Sequence, residues 1–196
     1  MQELYRRIVE TLFKKKFGKD TIWILCSQIV LVAASLGINL LIGAKMSAAD
    51  LGIYSLSLSY YVIFSVIFCF GLNITTVQKI SANSKNLLTE RKIFTSNIVI
   101  TLILSTSLTL LLIGLLMKFP GLLGKDAQFN SYLITCALAL PLFNLNKMFM
   151  AYYSGKRNQK RFSLLRLLRW LLIFVMIFAM VISDFPIGTI LHVFLV

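Results

Sequence analysis

Thr21-Ile22-Trp23-Ile24-Leu25-Cys26-Ser27-Gln28-Ile29-Val30-Leu31-Val32-Ala33-Ala34-Ser35-Leu36-Gly37-Ile38-Asn39-Leu40-Leu41-Ile42-Gly43-Ala44 contains no charge over 24 residues, and this stretch decides the fold. As a helix it is about 36 Å long, more than the roughly 30 Å of hydrocarbon in a bilayer. A helix also satisfies its own backbone hydrogen bonds, which hydrocarbon demands of any spanning segment. The stretch is too long for a secretory signal, and no small-residue cleavage pattern leads into a soluble body. Beyond Ala44 the chain continues with more membrane-type sequence.

Leu51–Gln78 and Ile93–Met117 are likewise free of charge, and Tyr132–Tyr153 carries only Lys147. Leu164–Ile182 has Arg166 and Arg169 near its first turns, where long cationic side chains can snorkel to the interface. A sixth apolar segment, Ile187–Val196, supplies about 15 Å of helix, too little to cross. The expected fold is therefore all-α: a polytopic transmembrane helix bundle of five full spans plus an incomplete sixth. The expected spans are about 21–44, 51–77, 93–117, 131–153 and 164–182, with a partial 187–196. Residues 1–20 form a separate unit, a cytoplasmic interfacial amphipathic helix, and 21–196 form the bundle. In the first unit Leu4, Tyr5, Ile8, Val9, Leu12 and Phe13 recur at helical spacing, with Arg6, Arg7 and Lys14–Lys16 on other faces. Composition agrees, with 58% hydrophobic and 14% charged residues, against about a quarter charged in soluble domains.

The net charge of +13 could suggest nucleic acid, but its placement argues otherwise. If the spans alternate, sixteen basic residues fall on one side. They are Arg6, Arg7, Lys14, Lys15, Lys16, Lys19, Lys79, Lys85, Arg91, Lys92, Lys156, Arg157, Lys160, Arg161, Arg166 and Arg169. Only Lys45, Lys118 and Lys125 fall on the other. That bias puts the N-terminus in the cytoplasm and the basic loops against anionic membrane lipid. The chain is expected in a bacterial cytoplasmic (inner) membrane, with no nucleic-acid partner.

Cys26, Cys69 and Cys136 lie inside spans without paired spacing, and His192 has no acid or cysteine near it in sequence. No metal site is expected. Paired carboxylates, a phosphate loop and a Ser/His/Asp grouping are all absent from the sequence, so the expected class is a non-enzyme without cofactor. No loop is long enough to fold as a soluble domain, so any function is exercised within the membrane.

Polar residues inside the spans are the candidates for it. Gln28, Ser35 and Asn39 fall within about 40° of one another on a helix. Asn97, Thr101, Ser105 and Thr109 form a second stripe at i, i+4 spacing. Such stripes serve helix packing, as Ala33-x-x-x-Gly37 would, or face a wet cavity. Packing is favoured for the second stripe, and both readings stand for the first. Lys147 lies about fifteen residues into the fourth span, on a shared face with Asn144 at i, i+3 and close to Pro141 and Asn146. Pro141 frees a carbonyl one turn back and is expected to kink the helix. Lys147 either snorkels to the cytoplasmic interface or faces a cavity; both readings remain open.

From Lys19 to Asn86 the chain resembles the N-terminal half of polysaccharide (O-antigen type) flippases of the multidrug/oligosaccharidyl-lipid/polysaccharide exporter superfamily. The resemblance is carried by Leu40-Leu41-Ile42-Gly43-Ala44-Lys45, by Asp50-Leu51-Gly52-Ile53-Tyr54-Ser55, and by Gly71-Leu72-Asn73-Ile74-Thr75-Thr76-Val77-Gln78-Lys79. The Pro141–Lys160 region, with Tyr152-Tyr153-Ser154-Gly155-Lys156, is similar to the family's fourth helix and its cytoplasmic turn. The resemblance implies a carrier of undecaprenyl-pyrophosphate-linked oligosaccharide repeat units for surface polysaccharide, such as the O-antigen of lipopolysaccharide. Its candidate substrate-path residues are Lys147, Asn144, Gln28, Ser35, Asn39 and Lys45. Such carriers resemble paired six-helix bundles, so a C-terminal-half chain or polysaccharide assembly proteins are expected partners, beside the lipid-linked oligosaccharide itself. Rival readings are a multidrug or lipid II exporter of the same superfamily, or a non-transporting membrane fragment or assembly protein.

Overall fold

The computed structural model describes residues 16–84, 86–119, 123, 127–183, 185–191 and 193. The interfacial helix expected over 1–20 therefore lies, up to residue 15, outside the described residues, as do Lys85, Pro120, Gly121, Gly124, Lys125 and His192. The chain folds as an all-α bundle. Its elements are α1 (Lys16–Lys45), α2 (Ala48–Cys69), α3 (Leu72–Ala82), α4 (Leu87–Lys118), α5 (Ala127–Leu138), α6 (Leu140–Gly155), α7 (Gln159–Ile182) and α8 (Ile187–Ile190).

Five helical stretches are long and apolar enough to span: Gly18–Lys45, Ala48–Cys69, Leu87–Lys118, Phe129–Gly155 and Gln159–Ile182. Local chemistry sets their starts. Ser47 and Asp50 form a reciprocal cap on α2: the Ser47 hydroxyl accepts from the Asp50 amide at 3.2 Å, and the Asp50 carboxylate accepts from the Ser47 amide at 3.1 Å. Asn86 and Asn158 cap α4 and α7, accepting from the amides of Thr89 and Arg161.

Two spans are broken. The stretch expected as one helix over 51–77 divides at Phe70 and Gly71, both left-handed, with φ of 50° and 72°. Glycine adopts that backbone without penalty, while a residue with a Cβ pays about 1–2 kcal/mol. The 22 residues of α2 are long enough to cross alone at about 33 Å, and α3 follows as a separate helix of 11 residues. The fourth span breaks at Ala139, between α5 and α6, two residues before Pro141. The Ala139 amide closes a tight turn onto the Cys136 carbonyl at 3.2 Å, and Pro141 has no amide to continue the ladder.

Packing divides the bundle into two groups. α1 lies along α7, and α2–α6 pack mainly among themselves, with α3 and α4 both against α6 and α2 against α5. Gly37 lets α1 and α7 approach closely: a Cβ there would sit 2.8 Å from the Phe174 ring. Ala33, expected to share that contact, is exposed. Gly155 plays the same part between α6 and α3, where a Cβ would meet Ile80 at 3.0 Å and the Val77 carbonyl at 3.1 Å. The core gathers Ile38, Ile42, Tyr54, Tyr61, Leu112, Leu116, Ile173 and Ile177, and is closed by Ile190, Leu191 and Val193. Outward faces are apolar instead of charged, with Ile29, Leu40, Val66, Ile103 and Val175 all exposed. A bilayer favours that arrangement and water does not.

Candidate functional site

The seam between the α1/α7 pair and the other helices carries the cavities. One, of about 150 Å³, is lined by Tyr61 and Val62 of α2, Leu142, Phe143 and Asn146 of α6, and Arg169, Trp170 and Ile173 of α7. A second, of about 220 Å³ and more open, lies nearer the basic end between α3 and α6, lined by Asn73, Val77, Lys147, Ala151, Ser154 and Phe162 among others.

Two cations meet at this seam. Lys147 is the eighth residue of α6 and follows Phe143 by one turn, so its stem runs back over that ring, with Nζ 4.7 Å from the centroid. The ammonium then reaches across to α2, donating to the Ser65 hydroxyl at 2.9 Å and to the Ser65 carbonyl at 3.2 Å. The hydroxyl can accept because its own proton goes to the Val62 carbonyl at 2.7 Å. Arg169 approaches the same ring from α7, its guanidinium carbon 4.3 Å from the Phe143 centroid and 5.7 Å from that of Trp170.

Magnitudes separate the two. A cation at mid-bilayer costs about 3 kcal/mol on insertion scales. Two charge-assisted hydrogen bonds at about 1.5–3 kcal/mol each, with a ring contact of about 1 kcal/mol, offset that for Lys147. Arg169 has the ring contacts, but its Nε is buried without a partner, and so is the Asn146 carbonyl oxygen beside the same cavity. Among the described residues neither cation has a carboxylate partner. The seam thus holds net positive charge, with Arg169 the less satisfied member.

The other expected residues are placed differently. Asn144 is fully buried and points to α4, its amide donating to the Ser105 hydroxyl at 3.1 Å. It and Lys147, 60° apart on α6, therefore serve different neighbours. The polar stripe on α4 is buried throughout, Asn97 donating to Thr76 at 2.8 Å, so it packs helices together. On α1 the buried face is Ser27, Ala34, Ile38 and Ile42. Gln28, Ser35 and Asn39 each follow one of these by a single residue, so their stripe is turned by 100° away from the bundle. Gln28, Asn39 and Lys45 are exposed and Ser35 is half-buried. Lys45 lines a third, open cavity of about 240 Å³ with Asp50, Val181 and Pro186 at the bundle end remote from the basic loops.

A family profile described as polysaccharide biosynthesis protein matches residues 17–194. The chain belongs to this family. No curated protein and no solved structure matches it. The match, with five helices long and apolar enough to cross a membrane, makes it a polysaccharide-related multi-pass membrane protein.

Two features of this polysaccharide biosynthesis protein are not evident in its sequence. Arg169, by sequence an interfacial cation, lies about 15 Å along α7 and turns inward. The signal for it is its place one turn before Ile173, Ile177 and Val181, the buried face of that helix. The other is the ion pair of Glu90, almost fully buried in the first turn of α4, with Lys156 at 2.7 Å. The carboxylate of Glu90, with help from Tyr152, raises the pKa of Lys156 above its ordinary value.

Proposed function

We propose that this protein is a non-enzymatic carrier that moves undecaprenyl-pyrophosphate-linked oligosaccharide units from the cytoplasmic to the outer leaflet of a bacterial cytoplasmic membrane. Supporting this is one observation above the rest: an apolar five-span body holds two cations, without a carboxylate partner among the described residues, beside cavities at an internal seam. Uncompensated positive charge at that depth is costly unless an anion or water visits it. The phosphates of a lipid-linked saccharide supply the anion, and the lipid tail needs no aqueous path. The exposed amides Gln28 and Asn39, with half-buried Ser35, line the face of α1 turned from the bundle, and Lys45 stands at its end beside the cavity it shares with Asp50. In this proposal that face borders the saccharide path, where a second helical bundle or an assembly protein closes it. Motion of the α1/α7 pair against the other helices would open and shut the seam, an alternating-access step.

The test is deletion of the gene in its own cell. Surface polysaccharide should be lost while lipid-linked oligosaccharide accumulates on the cytoplasmic leaflet, and a plasmid copy should reverse both. Unchanged surface polysaccharide, or accumulation of free sugar precursors without the lipid-linked form, would reject the carrier.

A further inference from the structure

We infer that the outward polar stripe of α1 leads into a saccharide subsite at the bundle end remote from the basic loops, where Lys45, Asp50 and Phe185 hold a single pyranose ring. The inference rests on the carrier reading for the class of its ligand, and it places one sugar on named residues, which that reading does not. Gln28, Ser35, Asn39 and Met46 follow one another by seven, four and seven residues, so all four fall within about 40° on one helix. Met46 keeps that register one residue beyond α1, its amide donating to the Ile42 carbonyl at 2.9 Å. Gln28 and Asn39 are exposed, and Ser35 and Met46 are half-buried. Met46 also lines the cavity shared by Lys45 and Asp50. The line of amides along the helix therefore runs into that cavity.

Charge and open valences define the ligand. Lys45 and Asp50 line one cavity yet form no ion pair with each other, and Lys45 has no hydrogen-bond partner among the described residues. The Asp50 carboxylate is fixed in place: its Oδ2 accepts from the Ser47 amide at 3.1 Å and from the Ser47 hydroxyl at 2.7 Å, which leaves Oδ1 open. The cavity thus offers an ammonium that only donates and a carboxylate oxygen that only accepts. An anion entering it meets Asp50, and a cation meets Lys45. A neutral ring whose hydroxyls both donate and accept satisfies the two together. The rest of the lining, Met46, Val181, Phe185 and Pro186, is apolar. Phe185, 46% exposed, supplies aromatic surface for the C–H face of a sugar. The volume of about 240 Å³ equals that of about eight waters in the liquid, room for one sugar ring and too little for a whole repeat unit.

Methyl glucoside, methyl galactoside and methyl mannoside are the probes, each titrated into the full chain in phosphatidylcholine nanodiscs and followed by saturation-transfer NMR of the sugar protons. The expected result is saturable transfer to at least one of them. Lys45→Ala and Phe185→Ala, both at exposed positions, should each weaken binding about fivefold or more at unchanged helix content. Lys118→Ala removes a cation of the same end that does not line the cavity, and it should leave the midpoint in place. No saturable transfer to any of the three sugars overturns the subsite. So does parental affinity in either variant once folded, and if one fails to fold the other decides. Competition by inorganic phosphate would assign the cavity to an anion. Loss of the sugar signal when phosphatidylethanolamine replaces phosphatidylcholine would assign it to a lipid headgroup, and either result overturns the subsite as well. Sugar binding with surface polysaccharide unchanged after gene deletion would strike the carrier reading alone. Absent binding with polysaccharide lost on deletion would strike only this one.

Discussion

Lys147 stands out in the sequence because it is the only charge between Tyr132 and Tyr153, and an interruption of that kind is visible without any structure. What the sequence left open was the direction of the side chain. Instead of rising to the interface, it crosses to Ser65 on α2. The carrier reading therefore makes a graded prediction. Lys147→Arg should keep surface polysaccharide, Lys147→Gln should lose most of it, and Lys147→Glu should lose all, at matched protein levels measured by immunoblot. A silent Lys147→Gln would mean that the amine only ties α6 to α2, and full export by Lys147→Glu would remove it from the path. Arg169 was illegible for a physical reason. Two arginines at the start of an apolar run look the same whether they snorkel outward or turn inward. Only the burial of Ile173, one turn on, tells which, and beyond Arg169 α7 is apolar on every face. Asn144 was legible as a polar residue in a span, but its partner Ser105 is 39 residues away, beyond any local pattern.

At the scale of the element, bilayer thickness made the helices legible, because it turns length without charge into a span. The breaks were less so. Pro141 announced its break because the ring removes a donor, whereas Gly71 sits in a charge-free run and glycine is common in spanning helices. The close helix contacts give a further prediction. Gly37→Ala should destabilise modestly, by about 1 kcal/mol or less, because the atom it meets is the edge of the Phe174 ring, which can swing aside. Gly155→Ala should cost more, about 1–3 kcal/mol, because Ile80 is fully buried and the Val77 carbonyl is backbone. Thermal unfolding in detergent checks the order. Phe174→Leu should rescue Gly37→Ala, and no single side-chain change at Ile80 should fully rescue Gly155→Ala, since the carbonyl remains. The reverse order would mean that the α1/α7 contact, rather than α3/α6, is the tighter joint.

For the whole molecule, the decisive quantity is which side of the membrane the basic ends occupy. The structure gathers those ends physically. Glu90 at the start of α4 binds Lys156 in the turn after α6, and Lys160 at the start of α7 lies 5.5 Å from the ring of Trp23 near the start of α1. At the other end, Lys45, Asp50 and Pro186 share one cavity. The first end thus carries Lys19, Lys79, Arg91, Lys92, Lys156, Arg157, Lys160 and Arg161, while the second keeps Lys45 and Lys118. Arg169, turned into the seam, leaves the sequence count of sixteen one short at the rim, too small a change to alter the bias. Because basic loops are retained in the cytoplasm and anionic lipid adds about 1 kcal/mol per cation near the surface, this end should be cytoplasmic. Single cysteines introduced in a background lacking Cys26, Cys69 and Cys136 check it in intact cells. Positions near Ser84 and Gln159 should be protected from membrane-impermeant maleimide until the cells are opened, and positions near Ser47 and Gln128 should react at once. Glu90 and Lys156 tie the first two sites to the same end, so they must give the same answer. Reaction at Gln159 with protection at Ser47 would invert the molecule. The seam cations would then lie nearer the outer leaflet, where a carrier that loads its phosphate from the cytoplasm has no use for them.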